Sequence, residues 1–405
     1  MTNTVRSRLF IMMVLEYVIW GAWLPLIFSY LPTLDFSAWQ RTLILNAFPV
    51  AALVAMFFSN QFADRNFAAE KFLAFSQFVG GLAMVGLAFT RDFWIFFALM
   101  LLHCLLYVPT LSIVNSIAFT HLKSSKDFGL IRMGGSIGWV LAAWPLYFIL
   151  TDTNSARWTY LISGLASLAL AGFSLVLPHT PPKKAEVAED KFAWLEAVRL
   201  LKRSFVLALW LVTFVDAFVL NAYFNWAGMF LGSPQVGIPT NRIMPIMSIG
   251  QVAEILTMAI LGWTLKRLGW RWTMMIGILG HVIRFTVFAL FPQTTWLVIL
   301  VFILHGICYA FFLAAVYIFV DEYFPKDVRA SAQGLFNVMI LGVGVIAANT
   351  ICPWMTDAYT KNVAGTSITD FHSLFLIAAG VALAATVALG LFFHPPALKQ
   401  PAETP

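Results

Sequence analysis

Apolar residues run along this chain in blocks of about twenty, separated by brief polar breaks. A helix rises 1.5 Å per residue, so a block of that length crosses the hydrocarbon of a bilayer. Twelve such blocks can be marked, over 9–31, 41–62, 71–89, 93–120, 129–150, 157–177, 205–231, 243–265, 272–291, 294–320, 330–354 and 371–393. The pattern predicts an all-α integral membrane protein of twelve transmembrane helices. The breaks hold most of the charge. One is long and polar, opening His179-Thr180-Pro181-Pro182-Lys183-Lys184 and continuing through Glu186, Glu189, Asp190 and Lys191. It divides the chain into a six-helix bundle over 1–177, a linker over 178–204, a second bundle over 205–393 and a tail over 394–405. The first block follows Arg6 and Arg8 and is too long for a signal-peptide core, so it reads as an uncleaved first helix.

Composition narrows the class. Only 11% of the 405 residues are charged and 60% are hydrophobic, against roughly 25% charged in a soluble domain. So few charges cannot cover a soluble particle, which excludes a cytosolic enzyme, a nucleic-acid-binding protein and a secreted disulfide scaffold. Cys104, Cys308 and Cys352 lie in apolar blocks without metal-ligand spacing. Of the 25 Lys and Arg, most fall in alternate breaks together with the linker and the termini. Only Arg41, Arg91, Arg157, Arg242 and Lys361 fall in the other breaks, and Arg132 and Arg284 lie within spans. Basic residues accumulate on cytoplasmic loops, so both termini and the linker are expected in the cytoplasm. The net charge of +6 then reflects topology and not an acidic partner. No phosphate-binding loop, GxSxG or HExxH motif is present.

An internal repeat joins the halves. Leu102-His103-Cys104-Leu105-Leu106-Tyr107 in the fourth span matches Leu304-His305-Gly306-Ile307-Cys308-Tyr309 in the tenth. At the same offset Arg65, after the second span, falls on Arg267, after the eighth. Parallel six-helix repeats describe the major facilitator fold, two bundles related by a pseudo-two-fold axis. Ala63-Asp64-Arg65 resembles that superfamily's acidic-basic loop, without its glycines.

A charge inside hydrocarbon is costly, so an ionisable residue there is a functional candidate by default. Glu254 lies near the middle of the eighth span with Gln251 one turn before it. The i, i+3 spacing puts an amide and a carboxylate on one helix face, for a ligand, a proton or a structural bond between helices. Asp216 in the seventh span reads equally as a proton site or as a partner of Arg284 or Arg132. Glu16, nearer the start of the first span, reads equally as packing, gate or site. Asn221 and Asn225 could bond a sugar hydroxyl, a base edge or a neighbouring helix. Arg132 opens Ile131-Arg132-Met133-Gly134-Gly135-Ser136-Ile137-Gly138-Trp139, whose glycines permit close helix approach; by position alone it snorkels to the interface as readily as it binds a ligand. Arg284 is too deep to snorkel and reads as a structural pair. His103 and His305 are repeat-related candidates for carrying a proton, or neutral rings satisfied by a neighbour. Trp139 and Tyr309 add flat faces of the kind on which a base stacks.

Several stretches are similar to the nucleoside:proton symporters of the major facilitator superfamily. They are Trp20-Gly21-Ala22-Trp23, Pro109-Thr110-Leu111, Ile131 through Gly138, Leu177-Pro178-His179, Ser248-Ile249-Gly250-Gln251-Val252-Ala253-Glu254, Ile283-Arg284-Phe285 and, after Pro325, Arg329-Ala330-Ser331-Ala332-Gln333-Gly334. The resemblance implies that Arg132, Gln251 and Glu254 face a nucleoside, with Ser136 and Trp139 beside them. It also implies departures: Phe224 where a second amide is expected, with Asn225 next to it, His305 in place of a tyrosine, and Ala310 in place of an acid after Tyr309. Asp216 is an acid the family pattern does not require, and so a candidate for the displaced coupling group.

The chain is therefore expected to be a proton-coupled nucleoside importer of the bacterial inner membrane. Arg132, Ser136, Trp139, Asn221, Asn225, Gln251, Glu254, His305 and Tyr309 are its binding candidates, and Glu254 and Asp216 its proton-coupling candidates. Nucleosides (purine, pyrimidine or both), protons and membrane lipid are the expected partners. A monomer is expected, with no cofactor beyond the proton gradient. The alternative reading is a proton-coupled sugar or oligosaccharide symporter.

Overall fold

The computed structural model describes residues 3–55, 67–122, 125–182, 198–324, 329–363 and 366–395. The six helices of the first half are α1 (Asn3–Tyr30), α2 (Ala38–Val54), α3 (Ala69–Leu87), α4 (Phe93–His121), α5 (Ser125–Ile149) and α6 (Trp158–Ser174). In the second half α7 (Ser204–Gly232) precedes one helical stretch, Thr240–Leu290, that breaks at Gly269 with φ 72° and ψ 175°. The left-handed φ suits glycine, and the break separates α8 (240–268) from α9 (270–290). Then come α10 (Thr295–Tyr323), α11 (329–358) and α12 (Phe371–Phe392). The twelve blocks of the sequence thus correspond to twelve helical spans among the described residues. Seven continuous helices, with Thr240–Leu290 taken as one, are long and apolar enough to cross a membrane by length and composition. The end of the second block at 56–62, the Ala63-Asp64-Arg65 loop, Pro325, linker residues 183–197 and tail residues 396–405 lie outside the described residues.

Local signals set several helix starts. Asp92 accepts from the Ile95 backbone at 3.0 Å to cap α4, and Asp370 accepts from Ser373 N at 3.1 Å to cap α12. Each cap satisfies an N–H that has no partner within its helix. The Ser373 hydroxyl, which donates to Asp370 at 2.7 Å, and its backbone N–H together hold the Asp370 carboxyl below its usual range. A feature the block pattern did not predict is a hairpin between α11 and α12. There β1 (Thr360–Val363) pairs antiparallel with β2 (Thr366–Thr369).

The two halves pack alike. In the first, α1 lies against α5 and α6, and α3 against α4 and α6. In the second, α7 lies against α11 and α12, and α9 meets α10 through Gly277 and Gly280 and α12 through Gly390. The closest approach is built on glycine: a Cβ at Gly138 on α5 would run into the Val14 carbonyl of α1, and one at Gly306 on α10 into the backbone of Ala253 on α8. Large apolar side chains such as Phe148, Leu256 and Trp296 point outward and are exposed, as a lipid-facing surface requires. Polar side chains are drawn inward. Glu16 accepts from Gln77 at 2.9 Å and Thr110 at 2.6 Å, and Ser167 bonds Gln77, so helices α1, α3, α4 and α6 share one buried polar centre. This resolves Glu16 as a packing residue of the first half.

Between the halves, α1 meets α7, α2 meets α11 and α5 meets α8. One end of this junction is tied by side chains. The Arg41 guanidinium on α2 reaches both carboxylate oxygens of Asp357 on α11, at 2.5 and 2.6 Å. Asn46 donates to Thr350 at 3.1 Å, and Asn349 to the Leu45 carbonyl at 2.9 Å. Asn241 at the start of α8 donates to the Tyr147 carbonyl near the end of α5.

Two outcomes follow from this packing. Gly138→Leu should force α1 and α5 apart and lower the melting temperature in detergent, at about 1–3 kcal/mol for overpacking. Asn349→Ala removes the partner of both Asn225 and the Leu45 carbonyl and should cost about 1–3 kcal/mol by the same measurement, the range for orphaned buried groups. An unchanged melting curve in either variant would contradict the role given to that residue.

Candidate functional site

The halves enclose a central cavity of about 590 Å³. Both contribute to its wall. From the first half come Tyr17 and Trp20 on α1, Phe48 on α2, Asn115 on α4, and Arg132, Ser136 and Trp139 on α5. From the second come Asn221 and Phe224 on α7, Gln251 and Glu254 on α8, His305 and Tyr309 on α10, and Asn337 and Asn349 on α11. A mostly apolar chamber with a few convergent polar groups is the usual form of a small-molecule site.

Helix packing places these groups. The glycine face of α5 presses on α1, so Arg132 is delivered beside the α1 aromatics, its guanidinium 4.4 Å from the centre of the Tyr17 ring. That stacking holds a cation over a ring face and leaves its N–H donors for a ligand. Across the cavity, Gln251 and Glu254 lie on one face of α8, as their spacing required. Arg132 and Glu254 feel each other's charge, yet no ion pair within 4.0 Å joins them among the described residues. A carboxylate and a guanidinium, one from each half, thus line the same cavity without pairing directly. Gly306 brings α10 onto α8, which sets His305 Nε2 3.4 Å from Gln251 Nε2. Oε1 of Gln251 is buried and has no hydrogen-bond partner among the described residues. In α10 and α11 the cavity wall coincides with π-helical turns, Tyr309–Ala314 and Val338–Val343. Such turns frequently mark functional sites.

Aromatic faces line one side. Trp20 stacks on Phe48 with ring centroids 4.9 Å apart and meets Trp139 edge-on at 5.3 Å. Tyr317 donates to Asn337 at 2.6 Å farther along α10 and α11.

Of the residues singled out in the sequence, Arg132, Ser136, Trp139, Asn221, Gln251, Glu254, His305 and Tyr309 all line this cavity. Two do not. Asn225 is buried between α7 and α11, where it donates to Asn349 Oδ1 at 3.1 Å; it supports the wall from behind. Asp216 is buried within the second half. Its nearest ionic neighbour is not Arg284 or Arg132 but His281, with Nε2 3.5 Å from Oδ1, and Arg284 stands one residue further back. His103 also points away from the cavity, its Nδ1 3.1 Å from the Gly80 carbonyl. Its repeat partner His305 faces inward. The sequence reading missed Tyr17, Asn115, Asn337 and Asn349 as wall residues, and His281 as the neighbour of Asp216. The one available signal was spacing: His281 stands i−3 from Arg284 on the same helix face.

Known proteins resemble this chain over most of its length. The family model described as "Nucleoside H+ symporter" matches residues 3–397. YegT of Escherichia coli K12, whose name assigns it provisionally to nucleoside transport, is 31% identical over 349 residues, covering 84% of this chain and 81% of that protein. The nucleoside permease NupG of the same organism is 27% identical over 420 residues, covering 98% of both chains. A crystal structure of a NupG mutant superposes with a TM-score of 0.87 over 96% of this chain and all of that one, at 26% identity. The fold is that of the major facilitator superfamily, and the chain is a transporter and not an enzyme. It belongs to the nucleoside H+ symporter family.

Proposed function

We propose that this protein takes up nucleosides together with protons, and that the central cavity is where the nucleoside binds. The observation that carries the site assignment is convergence: Arg132 from the first half and Gln251 and Glu254 from the second face one chamber that also presents flat aromatic walls. A nucleoside offers a planar base with donors and acceptors on its edge, and a ribose with hydroxyls. Arg132 can only donate, Glu254 as a carboxylate can only accept, and Gln251 does both. Glu254 and Asn221 suit the ribose hydroxyls, while Gln251 and Arg132 suit acceptors on the base. Trp139 and Tyr309 supply stacking faces, worth about 1–3 kcal/mol per base. Ser136 and His305 complete the polar wall.

The binding groups belong to opposite halves, so a ligand bridging them couples occupancy to the angle between the bundles. Alternating access in this fold is a rocking of one bundle against the other around a central site. With both termini cytoplasmic, the end tied by Arg41 and Asp357 is the outer one, and this conformation is closed toward the outside of the inner membrane. One chain contains a whole cavity, so the monomer is the working unit. Purines and pyrimidines share the ribose and the flat ring that these groups address.

Uptake of radiolabelled uridine and adenosine, with and without an uncoupler, tests the reading. Accumulation should collapse when the gradient is dissipated; accumulation untouched by the uncoupler would contradict it. Arg132→Ala should raise the nucleoside KM by about 10-fold or more, because a hydrogen bond to a charged group is worth about 1.5–3 kcal/mol. Glu254→Gln, which keeps the shape and loses the charge, should weaken binding by about 10-fold on the same basis. Unchanged affinity in both variants would remove the cavity wall from the binding site.

A further inference from the structure

Behind the α8–α10 wall lies a row of ionisable groups that ligand binding does not use. Asp216 on α7 is almost wholly buried, and neither carboxylate oxygen has a hydrogen-bond partner among the described residues. Its Oδ1 lies 3.5 Å from His281 Nε2 on α9. On the other side of that ring, Arg284 Nη2 is 2.8 Å from His281 Nδ1. A guanidinium can only donate. His281 Nδ1 must therefore be the bare nitrogen, and the neutral ring carries its hydrogen on Nε2, facing Asp216. Asp216 and Arg284 are thus an acid and a base held apart by one imidazole.

The row continues toward the cavity. Arg284 lies 3.9 Å over the Tyr223 ring, and the Tyr223 ring is 5.3 Å from that of His305. His305 in turn meets Gln251 on the cavity wall. Each member keeps a polar atom without a hydrogen-bond partner among the described residues: Arg284 Nε and Nη1, the Tyr223 hydroxyl, His305 Nδ1 and Gln251 Oε1. Cys308 on α10 faces the row beside Gly280 of α9. Helix α12 meets it with Phe375 against Phe285, and α11 with Gly344 against Ala217. Within its apolar stretch α10 has no carboxylate before Asp321.

A purely structural ion pair in a protein interior needs direct contact and satisfied hydrogen bonds to offset desolvation. Asp216 and Arg284 do not touch, and neither Asp216 oxygen has a hydrogen-bond partner among the described residues, so this buried acid can be occupied by a proton at small structural cost. We propose that Asp216 is the site of the co-transported proton and that His281 and Arg284 are positioning residues that report its occupancy to His305 and Gln251. The assignment rests on the proton-coupled nucleoside reading. One proton adds to a carboxylate oxygen of Asp216, forming an O–H bond, and leaves to water in the opposite conformation; no other bond forms or breaks. While Asp216 is ionised, its charge balances Arg284 across His281. Once it is protonated, the Arg284 charge is unbalanced and acts on Tyr223, His305 and the Gln251 amide, which the nucleoside engages.

The test uses the full chain in liposomes with two readouts, uridine counterflow without a gradient and accumulation under an inside-alkaline gradient. At one proton per nucleoside, a gradient of about one pH unit supports up to about tenfold accumulation, since tenfold corresponds to one unit. Asp216→Asn should collapse the ratio of accumulation to counterflow to that of gradient-free exchange. Asp216→Glu, which restores an acid, should restore the ratio with a displaced pH profile, and His281→Gln should displace the pH profile of the otherwise native chain. A wild-type ratio in Asp216→Asn, or equal loss of both readouts in the Asn and Glu variants, would overturn the proposal. Absence of uridine counterflow in the native chain would instead defeat the nucleoside reading on which it stands.

Discussion

A charged side chain buried in hydrocarbon costs several kcal/mol unless another group answers it, and the architecture of this protein is arranged around that cost. In the first half the answer is hydrogen bonding: Gln77 and Thr110 converge on Glu16 and weld four helices together. At one end of the junction it is direct contact, Arg41 on Asp357. In the cavity it is incomplete, because Arg132 and Glu254 both line the chamber and no direct ion pair joins them among the described residues. The three solutions have different consequences. The first makes a rigid bundle, the second a latch between bundles, and the third a vacancy with a shape and a polarity.

The latch and the cavity are mechanically linked through α11. Asn349 bonds Leu45 across the junction, accepts from Asn225 within its own half and also lines the cavity. A change in the angle between the bundles must break the first bond while leaving the second. The wall of the cavity on the α10 and α11 side is built from π-helical turns, where the backbone register differs from the rest of each helix. Deformability is thus located beside the ligand and the junction, while glycines hold α1 close to α5 and α8 close to α10.

Much of this was legible in the chain. Twenty-residue apolar blocks gave the helices because the bilayer imposes a length. The Gln251–Glu254 spacing gave a shared face because helix geometry is periodic. Arg132 was ambiguous by depth alone, and only the family likeness tilted it toward the ligand; packing of the glycine face on α1 explains why it turns inward. Asn221 and Asn225 show the limit. Their i, i+4 spacing put them on one stripe, but the stripe straddles the boundary between the cavity and α11, and only the tertiary packing decides which amide is wet. Asn349 and Tyr17 carry no sequence signal that separates them from packing residues. The hairpin at Thr360–Thr369 is too short for a search built on membrane length. His281 escaped because it has no counterpart in the repeat that singled out His103 and His305, and it becomes informative only when Asp216 is brought opposite it.

The central claim is that the chamber between Arg132 and the Gln251–Glu254 face holds the nucleoside. A structure of the protein determined with uridine bound tests it most directly. The account predicts ligand density in the central cavity, with the base against Trp139 or Tyr309 and polar atoms within hydrogen-bond distance of Arg132 and Gln251. Density elsewhere in the protein, or a ligand in the cavity that touches neither residue, would contradict it.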